Sequence, residues 1–147
     1  VGSFCNCKCR HVSAKTPTPN ANNAGAVDFY PPKPVFSLAP GFYAGAQTVS
    51  ITCADPTATI RYTLDGSDPT PTSTAYSGPV NIPSTKVLRA TAFGPTLSSF
   101  TETNTYFINV NHTVPVVSVC SQGVYTLVAN GSQNPPNRIG SFELFEQ

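Results

Sequence analysis

Thr59-Ile60-Arg61-Tyr62-Thr63-Leu64-Asp65-Gly66-Ser67-Asp68-Pro69 carries the clearest structural instruction in the chain. Ile60, Tyr62 and Leu64 alternate with Arg61 and Thr63, the two-residue period of a strand with one buried face. The run stops at Asp65-Gly66, where glycine accepts the positive φ of a tight turn and the aspartate side chain bonds the local backbone. Asp68-Pro69 then delays any return to a central ladder, because proline has no N–H to give. Asp65, Gly66, Asp68 and Pro69 therefore read as a structural turn. A strand feeding a rigid turn is a scaffold signal, not a catalytic one.

Working outward, the same pattern recurs on both sides. Upstream, Val35-Phe36-Ser37-Leu38 leads to a turn at Pro40-Gly41, and residues 48–54 alternate with Val49, Ile51 and Cys53 facing one way. Downstream, Tyr76 and residues 79–82 make short edge pieces, where prolines do least harm. Lys86–Phe93 and residues 99–108 complete the set. Strands at roughly ten-residue spacing with Gly/Pro turns predict an all-β antiparallel sandwich over residues 34–109. A unit of this size can hold its own core.

The flanks differ in character. Cys5, Cys7 and Cys9 alternate with Asn6 and Lys8, and His11 keeps their parity, so an extended strand would put all four on one face. Thiolates and an imidazole invite a metal reading. One flat strand, however, separates successive same-face side chains by ~6.5–7 Å, too far for all four to surround one ion. Disulfides to Cys53, to Cys120 or to a segment outside the chain are the preferred reading, and Cys5, Cys7, Cys9, Cys53 and Cys120 are all candidates. Residues 13–26 are small, polar and proline-containing, the composition of a linker, and Tyr30-Pro31-Pro32-Lys33-Pro34 reads as a polyproline II lead-in. Residues 1–33 thus form a Cys-rich segment plus linker. Residues 110–147 hold three more strand candidates, 114–120, 124–129 and 139–146. These can form their own small sheet, extend the sandwich or pair with a neighbouring molecule.

Bulk properties narrow the function. The 147 residues carry a net charge of +1 and only 10% charged side chains, so no basic footprint for nucleic acid or a membrane surface exists. No apolar run approaches bilayer length, which argues against membrane insertion. Val1-Gly2-Ser3-Phe4 lacks a basic region followed by an apolar core, the pattern of a mature or excised piece. Five cysteines in so short a chain favour an oxidising, extracellular or cell-surface setting, and the odd count leaves one thiol unpaired or paired outside the chain.

The candidate chemistries fail one by one. Asp65, Ser67 and Asp68 do not spread oxygen ligands over a calcium loop closed by a glutamate. His11 and His112 sit in no nucleophile motif. Glu143 and Glu146 fall on opposite faces of a strand, so they offer no carboxylate pair, and phosphate-cradling glycines are missing. No catalytic residue, cofactor or metal is expected. The one soft binding signal is aromatic: Phe42, Tyr43, Tyr62 and Tyr76 can present ring faces to a glycan or a protein partner, or simply pack in the core. Asn111-His112-Thr113 and Asn130-Gly131-Ser132 match the N-glycosylation acceptor pattern.

Three stretches together bring a family into view: Phe36-Ser37-Leu38-Ala39-Pro40-Gly41-Phe42-Tyr43, then Ile60 to Thr70, then Leu88-Arg89-Ala90-Thr91-Ala92-Phe93. In this order and spacing they resemble the chitobiase/β-hexosaminidase C-terminal domain, a fibronectin type III-associated module. The resemblance implies an immunoglobulin-like sandwich without catalytic residues, carried on secreted multidomain proteins. Gly2-Ser3-Phe4 with Thr16-Pro17-Thr18-Pro19-Asn20-Ala21-Asn22 resembles the end of a lamin-tail-like domain. Residues 114–119, 123–125 and 142–146 resemble the opening of a CotH-type kinase-like domain, whose catalytic motifs would lie beyond Gln147. The expected function is a non-catalytic extracellular structural or adhesive module that self-associates or binds protein partners through strand edges or disulfides, as in a fibre. The alternative is an accessory carbohydrate-binding module.

Overall fold

A computed structural model describes residues 30–120 and 140–146. Its eleven strands, with no helix among the described residues, build an immunoglobulin-like β-sandwich. The strands are β1 (Val35–Phe36), β2 (Gly41–Tyr43), β3 (Gln47–Val49), β4 (Ile51–Thr52), β5 (Thr59–Thr63), β6 (Thr74–Ala75), β7 (Val80–Ile82), β8 (Lys86–Phe93), β9 (Glu102–Ile108), β10 (Val116–Cys120) and β11 (Ser141–Phe145).

One layer is a five-stranded sheet in the order β2-β9-β8-β5-β6. The facing layer is narrower. It joins β1 to β4 and β3 to β7, and β3 and β4 are two halves of one extended run broken at Ser50. The break has a local cause: Ser50 N–H donates to the Ser37 hydroxyl at 2.9 Å, and Ser37 N–H donates to the Ser50 carbonyl at 2.9 Å. With its backbone drawn to Ser37, Ser50 divides the predicted strand between two partners.

The N-terminal strand switches layers. It leaves β1 at Phe36 and re-enters the other sheet as β2, parallel to β9, with Phe42 opposite Phe107. Among the described strands this is the one parallel ladder, the others being antiparallel, and it arises because the chain crosses between layers instead of reversing. The crossing is held at the Leu38 carbonyl, which accepts from the Tyr106 hydroxyl at 2.8 Å and from Asn104 Nδ2 at 3.2 Å.

Alternation explains the core. Val49, Ile51, Val80 and Ile82 from the narrow layer meet Leu88, Ala90, Tyr106 and Ile108 from the wide one, all fully or nearly fully buried. Their burial is the main stabilising term, since apolar area removed from water contributes roughly 25 cal/mol per Å². The described part of the proline lead-in is docked on this body. Pro31 and Pro34 are buried, Lys33 Nζ reaches Glu102 at 2.6 Å, and Tyr30 stacks on Phe100. Gly94 permits that docking, because a Cβ there would stand 2.9 Å from Pro31 Cγ.

Candidate functional site

The outer face of the wide sheet is covered where solvent would be expected. β8 points Arg89 and Thr91 outward and β9 points Thr105 outward, yet these three are 3%, 4% and 2% exposed. Over Thr105 and next to Arg89 the cover is the β10–β11 hairpin, an antiparallel pair with Val117 opposite Leu144 and Val119 opposite Phe142. Glu143 fastens it: the Thr105 hydroxyl donates to Oε2 at 2.5 Å and Thr105 N–H to Oε1 at 3.3 Å, while Ser118 Oγ lies 2.7 Å from Thr105 Oγ1. At one end Phe145 packs edge-on to Phe107 and Phe42, with ring centroids 5.2 and 5.9 Å apart, and His112 leans against the same rings.

At the other end the hairpin meets the Asp65-Gly66 turn. Gly66 has φ +78°, Ser67 N–H donates to Asp65 Oδ1 at 3.0 Å, and the Ser67 hydroxyl donates to the same oxygen at 2.6 Å. Those two bonds hold the Asp65 carboxyl below its ordinary 3.8. The Gly66 carbonyl accepts from the Cys120 thiol at 3.2 Å and from Arg89 NH1 at 3.1 Å. Arg89 also pairs with Asp68 and donates from Nε to Thr103 Oγ1 at 3.2 Å. A buried guanidinium thus ties turn, sheet and hairpin together. Burial raises the Cys120 thiol above its usual pKa, opposed by nearby Arg89.

The hairpin is largely inverted in polarity. Its sheet-facing side chains are Ser118, Cys120, Ser141 and Glu143, with Val116 and Phe145 at one end, whereas Val117, Val119, Phe142 and Leu144 point outward and are 50%, 54%, 67% and 50% exposed. The sandwich's own edges are two- or three-residue strands with prolines nearby: Pro34 at β1, Pro40 at β2, Pro71 at β6, and Pro79 and Pro83 at β7. β10 and β11 are longer, five residues each, and each pairs only with the other among the described residues.

The three tyrosines do not converge. Tyr43, Tyr62 and Tyr76 are half-buried against the core from different strands and loops, and the Tyr43 hydroxyl donates to the Ala39 carbonyl at 2.6 Å. Tyr43 borders a hollow of about 420 Å³ with Phe42, Asn109 and Val110. Tyr62 borders another, of about 470 Å³, with Leu64, Asp65, Ser73, Thr74 and Lys86. Cys53 and Cys120 are free thiols, and Cys53 donates to the Pro32 carbonyl at 3.3 Å. No disulfide joins these two. Cys5, Cys7, Cys9, His11 and the strand expected at residues 124–129 lie outside the described residues. Among the described residues no three His, Cys, Asp or Glu side chains gather as metal ligands would.

Sequence reasoning missed Arg89, Thr105 and Glu143. Arg89 and Thr105 sit on the face that alternation assigns to solvent, and the segment that covers them, which carries Glu143, is remote in sequence. The one available signal was the apolar outward register of residues 117, 119, 142 and 144.

A family model described as the chitobiase/beta-hexosaminidase C-terminal domain matches residues 38–116. No curated protein and no solved structure matches the chain.

Proposed function

The chain belongs to the chitobiase/beta-hexosaminidase C-terminal domain family, and from that premise we propose that it is a non-catalytic module of a secreted or surface multidomain protein, associating through the β10–β11 hairpin. The family takes its name from an accessory domain found with carbohydrate-active enzymes, which supports a helper's role over a catalytic one. The observation that carries the associative part is the inverted hairpin. Its polar face is spent on the sandwich, and four large apolar side chains in two cross-strand pairs stand in water. Contiguous apolar patches of this kind mark interaction surfaces, and strand edges unpaired among the described residues supply backbone donors and acceptors beside them.

The lamin-tail-like and kinase-like resemblances of the flanks fit the same reading, with the sandwich spacing one domain from the next. The hairpin would then be the first piece of the following domain.

Sedimentation velocity of the full chain under reducing conditions, from micromolar to near-millimolar concentration, tests association. The reading predicts concentration-dependent growth in size that Val119→Ser with Phe142→Ser abolishes. A monomer at every concentration, indifferent to both substitutions, would refute it. Reductant separates strand or apolar association from disulfide linkage.

A further inference from the structure

A second feature stands apart from the hairpin. The narrow layer does not span the wide one. Leu88, Ala90, Tyr106 and Ile108, inward from the middle of β8 and the end of β9, are buried, but Ile60 and Tyr62 of β5 and Leu64 just after it are only partly buried. The margin of the inner face along β5 and β6 therefore lies open as a shallow groove of about 470 Å³. Tyr62 and Leu64, which pack against the core, form its floor together with the polar lining of Asp65, Lys86, Ser73 and Thr74.

We propose that this groove is a saccharide-binding subsite. A pyranose ring offers a flat C–H face and a rim of hydroxyls that each donate and accept. The Tyr62 and Leu64 floor suits the apolar face. The rim meets groups left free for it: among the described residues the Tyr62 hydroxyl, Lys86 Nζ and Thr74 Oγ1 make no hydrogen bond, and Asp65 spends only Oδ1, on Ser67. An ammonium with three donors and a carboxylate oxygen with free lone pairs, both lining the hollow, can serve different hydroxyls of one sugar, one accepting and one donating. With one charge of each sign in its lining, Asp65 and Lys86, the hollow suits a neutral sugar. A β-strand ligand is disfavoured, since β6 is two residues long, with Pro71 shortly before it and Pro79 after.

Titration of ¹⁵N-labelled full chain with four neutral β-linked hexasaccharides (of glucose, two linkages; of xylose; of N-acetylglucosamine) tests the site. The expected result is saturable shifts at the amides of Tyr62, Thr74 and Lys86 with at least one of them. Affinity should fall tenfold or more in Lys86→Ala and severalfold in Tyr62→Phe, with thermal midpoints unchanged. Silence of those amides with all four sugars would overturn the proposal. So would shifts centred on Phe42 and Tyr43, or binding untouched by Lys86→Ala. None of these outcomes depends on the hairpin's association.

Discussion

Asp68→Ala is expected to destabilise the sandwich more than Arg89→Met, although both break the same ion pair. The asymmetry comes from burial, with side-chain exposures of 4% for Arg89 and 35% for Asp68. Removing Asp68 strands a guanidinium inside the protein with only the Gly66 carbonyl and the Thr103 hydroxyl as partners. An uncompensated buried charge costs about 3–5 kcal/mol, and the two surviving hydrogen bonds reduce this to about 2–4 kcal/mol. Removing Arg89 instead takes the charge out while methionine keeps the stem's packing. Asp68 then turns to water, and the Gly66 carbonyl still has the Cys120 thiol. What is lost is a few hydrogen bonds at ~0.5–1.5 kcal/mol each, about 1–2 kcal/mol in all. In a domain of this size 1 kcal/mol moves the midpoint by roughly 4–8 °C, so Asp68→Ala should melt several degrees below Arg89→Met. Urea and thermal unfolding of both variants and the double would measure it. In the double the charge is gone, so its cost should resemble that of Arg89→Met alone. Equal losses, or a larger loss for Arg89→Met, would refute the view that the guanidinium is desolvated and held by Asp68.

Gly66→Ala should cost about 1–3 kcal/mol, from the positive φ and from a Cβ placed 2.7 Å from Cys120 Sγ. Adding Cys120→Ala should recover the steric part only, which a double-mutant cycle would show. Burial pushes the Tyr106 hydroxyl up to about 12 from 10.0. The folded state therefore holds this proton more tightly than the unfolded chain, so the contribution is complete below pH 10 and is lost as pH rises towards 12. Melting followed across that window should show the decline, and Tyr106→Phe should remove that part of it. Asp65 runs the other way. Its folded pKa lies below 3.8, so its contribution is present above that value and disappears as pH falls beneath it, and Asp65→Asn should flatten that acid limb. Glu143→Ala should release the hairpin without unfolding the sandwich, seen as faster amide exchange at Thr105 and Val119 while Leu88 stays protected.

Much of the fold was legible because it is local. β8 runs from Lys86 to Phe93 as the alternation predicts, and β5 ends where the Asp65-Gly66 turn begins. The division of the run at Ser50 was not legible, since it depends on Ser37, thirteen positions earlier. Nor was the burial of Arg89: period-2 patterning says which face a side chain takes, and nothing about a distant segment landing on that face. The tyrosines show the same limit. Composition supplied Tyr43, Tyr62 and Tyr76 as candidates, but only the unequal width of the two layers singles out Tyr62 as the floor of a groove.

The most direct test of the associative role is a methyl-NMR concentration series on reduced protein, with Val and Leu methyls labelled. The account predicts that Val117, Val119 and Leu144 shift or broaden as concentration rises while Val49, Val80 and Leu88 in the core stay sharp. Outward methyls as indifferent to concentration as the core ones would contradict it.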